Sequence, residues 1–219
     1  MVADKDTEHQ TIRDFIDNQG VVFAKPNMGD QGKGVLKINK EDSKSIEELL
    51  AECQKQAYIV EGEIKQAPEI AVINPMSVNT VRAFTLIKRD GSTQIISILL
   101  RVGKPGMYVD NWGSGGICYN FDLDTGICDR AGVDKKQQPY LIHPGSNVQM
   151  VGYRLPHFDR LKQLIVDLSK QVPQARYVGW DIAITPDGYE LVEMNCPGGH
   201  DLLQAFGKPY GDLIKRELN

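Results

Sequence analysis

Residues 177–195 place the tightest constraint on how this chain folds. Two apolar runs, Val178–Ile184 and Tyr189–Met194, flank Pro186-Asp187-Gly188, a turn sequence between two strands. Pro and Asp suit a type I turn, and Gly suits the left-handed position that closes a three-residue hairpin loop. That loop pairs Thr185 with Tyr189, and counting outward sets Asp181 opposite Glu193. Directly opposed Cβ atoms in a sheet sit roughly 4.5–5.5 Å apart. Residues two apart on a strand share a face, so Glu193 and Asn195 look the same way. Two carboxylates this close repel each other unless a cation lies between them. Carboxylate and amide oxygens, completed by water and phosphate, form a ligand set that Mg²⁺ favours. An exposed, solvated strand face is the bland alternative, and the apolar neighbours argue against it.

A second feature is the stretch Lys25-Pro26-Asn27-Met28-Gly29-Asp30-Gln31-Gly32-Lys33-Gly34. Glycines let backbone N–H groups approach an anion, and two lysines add charge. A P-loop needs Ser or Thr after Gly-Lys, and here Gly34 follows Lys33; a dinucleotide fingerprint must open a helix. Val35-Leu36-Lys37-Ile38 is strand-like instead. The remaining readings are a flexible loop between antiparallel strands that folds over a polyphosphate, or an ordinary glycine-rich connection.

The rest of the chain mixes helices and strands without strict βαβ alternation, which indicates α+β. Residues 9–19 read as a polar helix and Val21–Ala24 as a strand. Ser43 or Ser45 is expected to cap a helix reaching about Gln56. Tyr58–Val60, Val78–Ile87 and Gln94–Arg101 read as strands, the last two joined by a turn at Arg89-Asp90-Gly91. Pro156–Val172 is an amphipathic helix. A boundary is expected near residue 62, dividing a smaller lobe (1–62) from a larger one (63–219).

Charge excludes some functions. The 25 Lys+Arg against 29 Asp+Glu give a net charge of −4, which lacks the basic footprint of a general nucleic-acid binder. No apolar run approaches the roughly 18 residues of a membrane span, and the polar start MVADKDTEHQ is no signal peptide. The four cysteines form no CxxC pair, so free thiols in a reducing cytoplasm are expected.

Taken in order, several segments resemble the ATP-grasp fold, in its sugar-transfer-associated and glutamate-ligase-like branches. They are Lys25 to Gly34, Tyr58-Ile59-Val60-Glu61-Gly62-Glu63-Ile64, Ser77-Val78-Asn79-Thr80-Val81-Arg82, Arg101, Asp110-Asn111-Trp112-Gly113-Ser114-Gly115-Gly116, Gly179-Trp180-Asp181 and Val192-Glu193-Met194-Asn195-Cys196-Pro197-Gly198. The resemblance implies two lobes with antiparallel sheets and ATP between them. Lys25 would contact phosphates, with Gly29, Gln31, Gly32, Lys33 and Gly34 closing over them. Glu61, Glu63 and Ile64 would line the adenine hinge, with Glu61, Glu63 or Glu69 at the ribose. Asp181, Glu193 and Asn195 would hold one or two Mg²⁺ ions, with Mn²⁺ an acceptable substitute.

Arg82 and Arg101 would bind the transferring phosphoryl oxygens, which a planar guanidinium suits better than a lysine. Asn111 would offer a donor beside the reacting carbonyl, although a turn-forming role is the rival reading. His143 and His200 stand in loops, and Cys196 is read as a structural thiol. The implied activity is an ATP- and Mg-dependent ligase that joins a carboxylate to an amine through an acyl phosphate, in cell-surface glycan modification. A small-molecule kinase and a nucleotide-binding module without independent activity are the rivals. Relatives of this kind usually carry a preceding domain and a further ATP-contacting lysine. Only residues 1–20 precede the Val21 strand, so a missing upstream domain or a partner chain is expected to supply them.

Overall fold

The structure is a computed structural model that describes residues 1–28, 34–207 and 209–218. It is α+β and divides into two compact units, Met1–Ile64 and Lys65–Asn219.

The first unit contains β1 (Val2–Ala3), α1 (His9–Gln19), β2 (Val21–Pro26), β3 (Leu36–Asn39), α2 (Ser43–Cys53) and β4 (Tyr58–Gly62). Its antiparallel sheet has the order β1-β4-β2-β3. Alternation assigns the two faces. Val22, Ala24, Ile38, Tyr58 and Val60 are buried with Ile12 and Ile16 of α1 and Ile46, Leu49, Leu50 and Cys53 of α2. The polar set Lys25, Lys37 and Glu61 takes the opposite face. The cap of α2 corrects the serine expectation: the Asp42 carboxylate accepts from the amides of Lys44 (3.1 Å) and Ser45 (3.3 Å). Ser45 turns its own hydroxyl back to the Asp42 carbonyl at 3.0 Å.

The second unit runs α3 (Pro68–Ala71), β5 (Thr80–Ile87), β6 (Thr93–Val102), a 3₁₀ turn (Trp112–Ser114), β7 (Ile117–Phe121), β8 (Gly132–Val133) and β9 (Pro139–Tyr140). It continues with α4 (Phe158–Gln171), β10 (Tyr177–Thr185), β11 (Gly188–Asn195), α5 (Asp201–Ala205) and α6 (Gly211–Leu218). Its seven antiparallel strands take the order β11-β10-β5-β6-β7-β8-β9. One face carries Val81, Ala83, Ile98, Leu100, Tyr119, Val178, Trp180 and Ile182, packed with Phe158, Leu161 and Ile165 of α4. On the other face Phe84, Leu99, Cys118 and Tyr177 pack under Leu202, Leu203 and Phe206. That second apolar patch covers only part of its face, and the remainder is polar.

The β10–β11 hairpin differs from the expectation in its loop. Thr185 pairs with Gly188, so the loop is the two residues Pro186-Asp187, and Gly188 is not left-handed. Ile182 then faces Leu191 and Asp181 faces Glu193, leaving Val192 as the extra residue of a β-bulge. A bulge inserts one residue in one strand and shifts the register by one. The shorter loop and the bulge cancel, and the Asp181–Glu193 opposition results.

Candidate functional site

The site is built on the polar part of the second sheet. Strand register aligns Glu193, Asp181, Arg82 and Leu99 side by side across β11, β10, β5 and β6. Arg82 grips Asp181 with two parallel bonds, Nε to Oδ1 and Nη2 to Oδ2, the latter at 2.8 Å. Its guanidinium also lies over the Phe84 ring, 5.9 Å from the centroid. From β6, Arg101 Nη2 reaches the same Asp181 Oδ2 at 3.1 Å. Its Nε lies 3.4 Å from Asp110 Oδ2, and Nε and Nη2 donate to Thr80 Oγ1 at 3.1 and 2.7 Å. Asp181 is 1% exposed and Arg101 8%. Burial opposes the Arg101 charge, but Asp110 and Asp181 outweigh it and hold the guanidinium more firmly protonated than usual. Two guanidinium and two carboxylate groups therefore form one neutralised cluster.

Glu193 stands exposed beside that cluster, and the amide of Asn195 donates Nδ2 to the Gly179 carbonyl at 3.5 Å. After β11 the chain folds back across β10. A Cβ on Gly179 would lie 2.9 Å from the Gly198 carbonyl oxygen, and one on Gly198 2.8 Å from the Gly179 nitrogen. Only glycine at both positions permits this crossing. The donors are of the kind a hard divalent cation takes, two opposed carboxylates with an amide two residues on. The Asp181 charge is already answered by Arg82 and Arg101, so, against the sequence expectation, the opposition does not by itself call for a cation. Asp181 spends three of roughly four carboxylate lone-pair sites on arginines, so a cation would share it with them. Among the described residues no three His, Cys, Asp or Glu side chains form a ready cage.

Other expected residues fall in different settings. Asn111 caps the 3₁₀ turn, its Oδ1 accepting from the amides of Gly113 (2.7 Å) and Ser114 (3.3 Å). The turn-forming reading describes that oxygen, and these two bonds do not involve Nδ2. His143 is buried and bonded to the Gly103 carbonyl (3.0 Å) and Ser146 Oγ (3.2 Å), and burial lowers its pKa. His200 is exposed at the start of α5, and Cys196 is exposed as well, which corrects its reading as a structural thiol. Cys118 lies opposite Arg101, and burial pushes its thiol up to about 12, which leaves it no nucleophilic thiolate. Thr80 and Asp110 are functional candidates that the sequence reading did not single out. Thr80 stands two residues before Arg82, on its face, and that period-two spacing was the available signal.

In the first unit, Lys25 Nζ pairs with Glu61 Oε2 at 2.5 Å and Lys37 Nζ with Glu63 Oε1 at 3.0 Å. Lys37 also lies over the Phe23 ring, 5.3 Å from the centroid. Both pairs are substantially exposed. Ile64 is half-buried at the end of the unit, and Glu69 is exposed in the first turn of α3 in the second unit. Gly34 has a left-handed φ of 75°, and a Cβ there would come within 3.0 Å of Pro26 Cγ. Gly29, Gln31, Gly32 and Lys33 lie outside the described residues.

A family model described as sugar-transfer associated ATP-grasp matches residues 1–207. Solved structures share the fold at low identity. The ATP-grasp ligase PsnB complexed with minimal precursor, Mg and ADP is 16% identical, with a TM-score of 0.51 over 96% of this chain and 50% of its own. D-alanyl-alanine synthetase A from Vibrio cholerae is 14% identical, with a TM-score of 0.54 over 100% and 55%. The ADP complex of purK, an N5-carboxyaminoimidazole ribonucleotide synthetase, is 12% identical, with a TM-score of 0.54 over 91% and 40%. The chain thus spans about half the length of these structures. Among curated proteins no sequence matches it. Among the described residues no helix is long and apolar enough to cross a membrane.

Proposed function

Since the chain belongs to the sugar-transfer associated ATP-grasp family, we propose that it works as an ATP-dependent ligase that activates a carboxylate as an acyl phosphate for attack by an amine. The observation that carries this reading is the Arg82–Asp181–Arg101 cluster, two guanidinium forks fixed by one buried carboxylate beside Glu193 and Asn195. Phosphoryl transfer asks little covalent chemistry of a protein; positioning and charge stabilisation carry the rate. Arg82 and Arg101 retain N–H groups not directed at Asp181, and these would receive the oxygens of the γ-phosphoryl group as it leaves ADP for the carboxylate oxygen. The same forks would steady the acyl phosphate while the amine nitrogen attacks its carbonyl carbon, phosphate departs and the amine proton passes to solvent. Asn111 Nδ2 would face that carbonyl.

Lys25 would meet the nucleotide phosphates, with Gly29 to Gly34 closing over them, and exchange its partner Glu61 for them. Glu61, Glu63 and Ile64 would line the adenine side, and one of the acids Glu61, Glu63 or Glu69 the ribose. Asp181, Glu193 and Asn195 would hold Mg²⁺, one or two ions, which when bound neutralises charge on the β- and γ-phosphates. Four free cysteines without a disulfide suit a cytoplasmic setting. The acid and amine would belong to a cell-surface glycan or its precursor, a reading supported by the family's association with sugar transfer.

Incubation with ATP, Mg²⁺, candidate acids and hydroxylamine tests the reading. A hydroxamate supports the ligase. ADP without hydroxamate marks a kinase, and nucleotide binding without ADP release marks a binding module.

A further inference from the structure

We infer that Asp110, acting through the Thr80 hydroxyl and through its own contact with Arg101 Nε at 3.4 Å, is a positioning residue that sets the plane of Arg101 and ties the 103–116 segment to the reacting face. The inference rests on reading Arg101 as a contact to the transferring phosphoryl group. Asp110 Oδ2 accepts from the Thr80 amide at 2.9 Å and from the Thr80 hydroxyl. A hydroxyl has one proton and two lone pairs. Because its proton goes to Asp110, Thr80 Oγ1 can only accept on its other side, and it does so from both Nε and Nη2 of Arg101, at 3.1 and 2.7 Å. Two bonds from one guanidinium edge to one oxygen, together with the Nη2 contact to Asp181, fix the plane as well as the position of the fork.

The geometry holding Asp110 is tight. Gly116 donates its amide to the Asn111 carbonyl at 3.0 Å. A Cβ on Gly116 would stand 2.3 Å from the Asp110 carbonyl oxygen. Asp110 is 8% exposed and Thr80 3%, so solvent does not replace these bonds. A shift of the 103–116 segment therefore moves the carboxylate, reorients the hydroxyl and turns Arg101.

The test compares affinity for ADP·Mg²⁺ with affinity for ADP·Mg²⁺ plus aluminium fluoride, which imitates the phosphoryl group in transfer. A bond to a charged donor is worth enough for about a tenfold effect or more. Thr80→Val and Asp110→Ala should each lose about tenfold of the preference for the aluminium fluoride complex, with ADP·Mg²⁺ affinity held within about twofold. Thr80→Ser, which keeps the hydroxyl, should retain the preference. Asp110→Asn, which keeps an acceptor oxygen without the charge, should fall between. Wild-type preference in Thr80→Val and Asp110→Ala, with the preference lost in Arg101→Lys, overturns the positioning role and leaves the reading of Arg101 intact. Wild-type preference in Arg101→Lys as well overturns the role of Arg101 itself, and the inference with it.

Discussion

The two units carry similar charge pairs in opposite environments. On the first sheet Lys25–Glu61 and Lys37–Glu63 lie on an open face, with side chains 36–46% exposed. On the second, Arg82, Arg101, Asp110 and Asp181 share one buried network. Exposed pairs contribute roughly 0–1 kcal/mol, because water and salt screen them and two long side chains lose freedom. Removing one partner of a buried pair costs about 3–5 kcal/mol, since the other charge is stranded. The exposed pairs can therefore exchange partners for a ligand at little expense, whereas the buried cluster is a fixed framework. The first kind of surface suits the proposed exchange of Glu61 for phosphate at Lys25, and the second suits forks proposed to hold the phosphoryl group in place.

The largest effect should come from Asp181→Ala. It leaves Arg82 and Arg101 facing each other without their shared carboxylate, and stability measured by denaturant unfolding should fall by about 3–5 kcal/mol. A loss under about 1 kcal/mol would place the cluster with the exposed pairs and break the contrast. Next is Asp42→Ala at the α2 cap, where the same measurement should read about 0.5–2 kcal/mol. Glu61→Gln should cost less than about 1 kcal/mol yet change ATP affinity measured by calorimetry, since Lys25 loses its partner. Glu193→Gln sharpens the contrast from within the second unit. Its side chain stands outside the buried network, so stability should stay within about 0.5 kcal/mol while Mg²⁺-dependent nucleotide binding weakens. Unchanged binding would remove Glu193 from the proposed metal ligands. Smallest is thiol labelling: iodoacetamide on the folded protein should modify Cys196 and spare Cys53, Cys118 and Cys128, as peptide mass spectrometry can check.

Much of the architecture was legible because the patterns are local. The α1 span, the β5–β6 turn around Gly91 and the buried face of α4 follow from spacing and turn chemistry. Asp181 and Glu193 do oppose each other, but through a two-residue loop and the Val192 bulge. A bulge depends on how β11 sits against β10, so no count along the chain could separate that route from a three-residue loop. The α2 cap went to Asp42 because its carboxylate reaches two amides at once, while Ser45 satisfies its hydroxyl on a carbonyl. Arg82 and Arg101 stood out as charges on apolar strands. The Thr80–Asp110 support did not, since it joins residues 30 apart through a loop whose path is set by tertiary packing. Short β1 was hidden in a polar N-terminal segment and exists through its pairing with β4.

The most direct measurement is a structure of the protein with a non-hydrolysable ATP analogue and Mg²⁺. The account predicts a cation against Asp181, Glu193 and Asn195, and the γ-phosphate oxygens on Arg82 and Arg101. Nucleotide bound away from those arginines, with no cation against Asp181, Glu193 or Asn195, would contradict it.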